Sequence, residues 1–225
     1  WEFSKSFDPE NKYTIPHYWG TLGILYNTRL VDEEVDSWDI LFNSKYSGQI
    51  IMENSVRDSF VPALKLLGYS INTDNTDELD EAEAMLKEQR PMVQAYLLDS
   101  ARDEMIAENA AIALVYSGEA PYATEYNEDL AYVVPKEGSN VWVDSWAITK
   151  DCKNTENAEK FLNYLLEVEI SKISFEYNHY GTPNKKLAEI LPAKYTEDPV
   201  LFPPSDVLDN CEIFKSLDQG TQNYY

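Results

Sequence analysis

An α/β fold with a largely parallel sheet is the architecture this sequence predicts, and three observations predict it. Short apolar stretches rich in branched and aromatic residues alternate with longer stretches whose apolar residues recur every three or four positions. Gly and Pro stand at the joints between them. With 225 residues and 44 % apolar composition, the chain can also bury the core that such layers need.

Gly20 to Tyr26 reads as the first strand and Gln49 to Met52 as the second. A helix follows over 55–67, with Phe60, Leu64 and Leu67 at helical spacing, Asn54 or Ser55 as its cap, and Gly68 placed for a left-handed stop. The acidic stretch 76–89 predicts a second helix that buries Leu79, Ala82, Leu86 and Ala84 or Met85, and Pro91 ends it. Met92 to Leu97 is a strand, 100–109 a helix and Ala111 to Tyr116 a strand. A helix over 119–126 and strands over 130–134 and 141–148 complete the alternation. Beyond Asn154 the pattern turns helical: Ala158, Phe161, Leu162 and Leu165 share a face of one helix, and a second covers 170–177. Asn184 caps a short helix, the four prolines of 192–204 mark an irregular crossing segment, and the tail reads as helical.

Forty acidic residues against 18 basic ones give a net charge of −22. A surface of that sign repels phosphate backbones and anionic bilayers, so nucleic acid is not an expected partner, while cations are concentrated around it. Acid excess also serves solubility alone. No stretch approaches the roughly 18–20 apolar residues of a membrane-spanning helix. The chain opens Trp1-Glu2-Phe3 with neither an initiator Met nor an apolar leader, as expected of a mature or trimmed piece of a longer protein. Cys152 and Cys211 match no metal spacing, and whether they pair stays open.

Motifs for chemistry are scarce. His17 and His179 lie in no metal-binding frame, the 8 glycines form no phosphate loop, and Ser117 has no nucleophile elbow around it. No catalytic residue, metal ligand or cofactor is assigned. Aromatics beside acids at strand ends stand out instead. In Trp142-Val143-Asp144-Ser145-Trp146, Trp142 and Asp144 project from the same face of a strand. An indole next to a carboxylate suits an ammonium ion, which takes charge from one and cation–π attraction from the other. A buried Trp beside a structural Asp fits the same residues. Tyr116 ends a strand, Tyr180 stands in a turn, and Asp58 lies in the first turn of its helix, where the dipole favours its charge. Each also has an ordinary structural reading.

The order Phe7-Asp8-Pro9, Tyr13-Thr14-Ile15-Pro16, Tyr18-Trp19-Gly20, Ser37-Trp38, Tyr46-Ser47-Gly48 and Leu66-Leu67-Gly68-Tyr69-Ser70 opens a longer pattern. Trp142-Val143-Asp144-Ser145-Trp146-Ala147-Ile148 and Tyr180-Gly181-Thr182-Pro183-Asn184 close it. Together they resemble the spermidine/putrescine-binding proteins of bacterial ABC importers, along essentially the whole chain. The resemblance implies a periplasmic-binding-protein-like (type II) two-lobed clamshell whose first lobe begins before this chain. It implies that residues 1–19 end lobe one and make the first crossover, 20–140 build lobe two, 141–190 return to lobe one, and 191–225 cross back. Position by position, the family's stacking Trp and amine-binding Asp match Trp142 and Asp144. A second stacking Trp falls at Tyr116, the Tyr before the Thr-Pro-Asn turn at Tyr180, and the helix-start Glu at Asp58. The family's acid three residues earlier falls at the uncharged Ser55, a serine contact falls at Leu98, and a late glutamine contact falls near Phe214. The implied partners are a polyamine and a membrane permease, in the periplasm or on a lipid-anchored surface protein. A same-fold binder of ferric iron through Tyr224-Tyr225, a two-acid hydrolase, and a folded lobe with no ligand competence are the alternatives. Separately, apolar edges left by the missing part of lobe one make a homo-oligomer of the chain an expectation.

Overall fold

The computed structural model describes residues 3–225. Trp1 and Glu2, which open the segment read as 1–19, lie outside the described residues. The strands are β1 (Ile15–Asn27), β2 (Ile50–Glu53), β3 (Val93–Leu97), β4 (Ile112–Tyr116), β5 (Leu130–Val133) and β6 (Val141–Trp146). The α-helices are α1 (Val56–Leu66), α2 (Thr76–Gln89), α3 (Ser100–Ile106), α4 (Glu119–Tyr126), α5 (Thr155–Leu165), α6 (Val168–Asn178), α7 (Lys185–Ala188), α8 (Ala193–Thr196), α9 (Ser205–Leu208) and α10 (Gln219–Tyr224). Tight 3-10 turns over Trp38–Phe42 and Ser44–Tyr46 fill the stretch between β1 and β2.

The sheet runs β3-β2-β4-β1-β5, and β6 pairs with the other half of β1. β2 is parallel to β3 and β4, whereas β1 is antiparallel to β4, β5 and β6. The largely parallel sheet expected from the alternation is therefore corrected to a mixed one. The reason lies in the connections. β2 to β5 are joined through α1–α2, α3 and α4, and a helical crossover returns the chain in the same direction. β1 has no such helix before it and slots between β4 and β5 in the opposite sense.

β1 also belongs to two pairings. Residues 15–21 pair with β6, and residues 22–27 pair with β4 and β5. Its burial follows: the first residues are half-buried, and those from Trp19 onward are almost all buried.

Side-chain alternation distributes the core over both faces of the sheet. Ile50 and Met52, with Leu22, Ile24, Ile112 and Leu114, pack on one face around the fully buried Trp38. Ile51, Leu25, Ala113 and Val115 face Ala101 and Met105 of α3 and Ala120 and Ala123 of α4 on the other. Strands covered on both faces are apolar throughout rather than alternating, which is why these read as short unbroken runs. Leu64 of α1 meets Leu79 and Ala82 of α2 in a third cluster, and Phe175, Leu187, Leu191 and Leu201 form a fourth.

Local chemistry sets the helix ends. Asn75 caps α2 through Asp77 N–H, and Gly68 stops α1 with φ +78°. Ser55 precedes α1 but caps nothing, since its hydroxyl is committed elsewhere. Of the expected stripes, Ala84 and Phe161 turn out exposed. Both cysteines are free. Before β1, the Asp8 carboxylate accepts the N–H groups of Lys12, Tyr13 and Thr14 and the Thr14 hydroxyl at 2.8–2.9 Å. Burial would raise its pKa, but these donors outweigh it and hold the carboxyl at about 2.

The last segment closes against the rest of the chain. Glu212 accepts Lys65 Nζ at 2.6 Å and exchanges backbone bonds with Ser139 and Val141. Phe214 then packs on the first core cluster.

Candidate functional site

A cavity of about 340 Å³ lies at the carboxyl ends of β2 and β4, where β6 leaves β1. Tyr116, Trp142, Tyr180 and Phe214 give it aromatic walls, and Asp58, Asp144 and Asn140 give it polar ones. Five of the six residues singled out from sequence thus meet at one place, although they come from β4, β6, α1 and the turn after α6.

The rings brace one another. Trp142 is edge-on to Tyr116 with centroids 5.9 Å apart and to Tyr180 at 4.9 Å. Trp142 stands opposite Gly20 in the β1–β6 register, and a Cβ on Gly20 would lie 2.6 Å from its ring. Tyr180 lies over Gly118 in the same way, since a Cβ there would come within 2.1 Å of the phenol ring. Two glycines therefore seat two of the cavity's aromatic faces.

Asp58 is the buried acid of the site. Tyr116 Oη donates to its Oδ2 at 2.9 Å, and Ser55 Oγ donates to the same oxygen at 2.5 Å. Among the described residues nothing donates to Oδ1, which stays available to a ligand. Ser55, the sixth expected residue, does not line the cavity; it stands behind Asp58 and orients it. Burial first, and then the Asp58 charge, push the Tyr116 phenol well above its ordinary pKa, so it stays a donor.

Asp144 is the open acid, exposed at the rim, and its carboxylate has no hydrogen-bond donor among the described residues. Partial burial raises its pKa and nearby His17 lowers it. His17 also stacks near Tyr18 at 3.7 Å and Trp146 at 5.2 Å, and burial depresses its own pKa. The Tyr180 hydroxyl donates to Glu119 Oε1 at 3.3 Å, and Arg102 Nη1 holds the other Glu119 oxygen at 3.0 Å. Leu98, by contrast, is exposed and outside the cavity, while Phe214 lines it.

Sequence reading missed Asn140, His17, Glu119 and Glu53. Asn140 and His17 carry no sequence signal. Glu53 does: it ends the otherwise apolar Ile-Ile-Met-Glu strand at the carboxyl end where α/β sheets bind ligands. The Tyr224-Tyr225 pair is elsewhere: Tyr224 donates to Asp80 at 2.6 Å and Tyr225 packs on Phe60. Among the described residues no group of three or more His, Cys, Asp or Glu is arranged to hold a metal.

A mixed sheet with a long strand shared between two sets of partners, and an aromatic cavity beside that strand, are features of an extracellular solute-binding-protein fold. The chain belongs to the bacterial extracellular solute-binding protein family, whose family model matches residues 2–203. It is 34 % identical over 210 residues to the spermidine/putrescine-binding periplasmic protein of Escherichia coli, covering 93 % of this chain and 60 % of that one. Haemophilus influenzae spermidine/putrescine-binding periplasmic protein 1 is 30 % identical over 222 residues, with 98 % and 62 % covered. A putative spermidine/putrescine ABC transporter structure from Listeria monocytogenes superposes with a TM-score of 0.92 at 39 % identity, over 100 % of this chain and 70 % of that one. The spermidine/putrescine ABC transporter substrate-binding protein PotD from Streptococcus pneumoniae gives 0.87 at 38 %, over 97 % and 68 %. The chain thus spans about 60 % of the length of the curated relatives it matches.

Proposed function

We propose that this chain is the larger part of an extracytoplasmic polyamine-binding protein, the capturing subunit of an ABC importer, and that it acts by binding without catalysis. The observation that carries the proposal is the convergence of three stacking aromatics with one buried and one open carboxylate. A polyamine is a flexible apolar chain with an ammonium at each end. Its methylenes fit between Trp142, Tyr116 and Tyr180, and its ammoniums pair with Asp58 and Asp144. Each cation over a ring adds about 0.5–2 kcal/mol. A buried ammonium without a carboxylate would be strongly disfavoured, so the acids select for charge. The net charge of −22 draws such cations toward the cleft. The names of the E. coli and H. influenzae relatives point to the same ligand class.

The two-lobed division belongs to this proposal: 20–140 as one lobe, 141–190 as part of the other, and 1–19 and 191–225 as crossing segments. The fourth core cluster packs residues from 175 to 202 apart from the clusters around the sheet, and it runs past 190, so the first part of the 191–225 crossing packs with the returning segment. The split pairing of β1 supplies the hinge strand, and closure brings the rim acid Asp144 over the ligand. The closed form then docks on the membrane permease.

Isothermal calorimetry of spermidine with the full-length protein containing this chain tests the reading. Saturable, salt-sensitive binding in the micromolar range or tighter is expected; no heat with spermidine or putrescine would overturn it. Gly118→Ala is expected to drive the Tyr180 ring out of its seat. Spermidine affinity should then fall about three- to tenfold as one cation–π face is lost, with a change in Trp142 emission. Unchanged affinity and emission would show that Tyr180 does not shape the site.

A further inference from the structure

At the end of β2, within electrostatic reach of Asp58 but outside the residues that line the cavity, is an acid that the site as described does not use. Glu53 closes β2 with its side chain 2 % exposed, and its Oε1 is buried without a hydrogen-bond partner. The groups that act on it are all anionic or neutral: Asp58 at the start of α1, Asp99 before α3, Glu119 in α4, and the Tyr116 phenol of β4. The nearby cation Arg102 is committed to Glu119 and Asp103 and lies over the Tyr122 ring. A carboxylate in such a place is costly unless a cation or a proton neutralises it.

We propose that Glu53 is a third carboxylate of the ammonium site, ionising when a ligand ammonium seats beside Asp58. The proposal rests on the polyamine reading above. In the ligand-free cleft Glu53 holds a proton, because burial first, and then Asp58, Asp99 and Glu119, push its pKa up to about 8. An arriving ammonium adds one positive charge beside Asp58. The Glu53 O–H bond then breaks, its proton leaves to solvent, and the carboxylate balances the ammonium. One positive charge replaces another, so the cleft gains no net charge at that end. Terminal alkylammonium groups titrate near pH 10, but repulsion between neighbouring ammoniums lowers the inner amine of spermidine, so protons that the ligand itself takes up above about pH 8 are subtracted from the count using its own titration curve.

The sign follows from linkage. Lowering the pKa of Glu53 on binding makes binding release a proton below about pH 8, and affinity then rises with pH. Spermidine calorimetry on the full-length protein, in buffer pairs of different ionisation enthalpy from about pH 6 to pH 9, counts those protons. The wild type is expected to release close to one proton near neutral pH and few above about pH 9, with affinity rising about tenfold between pH 6.5 and 8. Glu53→Gln should abolish that release, flatten the pH profile and bind about tenfold more weakly at pH 8. Wild-type protein that binds spermidine without releasing protons overturns the proposal even if Glu53→Gln fails to fold. So does a folded Glu53→Gln protein with the wild-type proton count. Wild-type protein that binds no spermidine at any pH overturns the polyamine reading itself, and this one with it.

Discussion

Asp58→Asn is expected to weaken spermidine binding by the full-length protein roughly 30- to 1,000-fold, the loss that follows when one partner of a buried charge pair is neutralised. Asp58 is buried, its Oδ2 is held by Tyr116 and Ser55, and its Oδ1 is left for the ligand. An amide keeps the shape but removes the charge, so a ligand ammonium would be buried against a dipole. Calorimetry reads the effect directly, and it should shrink as salt is raised for the rim acid but not for this one. Trp142→Ala and Asp144→Ala should each weaken binding less. Trp142 contributes one aromatic face, and Asp144 is open to water. If Glu53 shares the ammonium, the effects of Asp58→Asn and Glu53→Gln will not add, because the loss of the Asp58 charge lets Glu53 ionise more easily. Wild-type affinity in both Asp58→Asn and Trp142→Ala would remove this cavity as the binding site.

Trp38→Ala should destabilise the fold by about 3–5 kcal/mol, the range for deleting a fully buried indole. At about 2–4 °C per kcal/mol for a chain of this size, the melting temperature should fall by roughly 6–20 °C. Trp38 is fully buried in the main core, and its Nε1 donates to Gly138 O at 2.8 Å. Ser37 Oγ donates to Glu137 Oε1 at 2.6 Å beside it. These bonds pin the loop that leads through Asn140 into Trp142, so stability and site geometry share one anchor. Trp38→Phe separates the two contributions. It keeps most of the apolar area but leaves the buried Gly138 carbonyl unpaired, at a cost of about 1–3 kcal/mol. Thermal melts of both variants check this, and equal melting points for Phe and Ala would assign the whole effect to the hydrogen bond.

Much of the local structure was legible in the residues. The acidic helix over 76–89 has the predicted bounds, because a side-chain cap at Asn75 and a proline at 91 each act on the residues next to them. The pairing of Trp142 with Asp144 on one face follows from the two-residue repeat of a strand and needs no neighbour. Family resemblance carried Tyr116, Tyr180 and Asp58 further than periodicity could, since each alone reads as ordinary.

What the tertiary structure decided is where the chain's separate parts meet. The antiparallel course of β1 could not be seen in the alternation, because strand direction is set by connections and by which edge is free, not by composition. Asp58 and Tyr116 are 58 residues apart, yet their side chains share a hydrogen bond. Glu53 is one acid among 40 in the sequence, and only folding makes it buried and unpartnered. Helix, turn and strand periodicity are written in short-range sterics and hydrogen bonding. Burial and the meeting of charges depend on contacts between residues far apart in the chain, and those exist only once the sheet has formed.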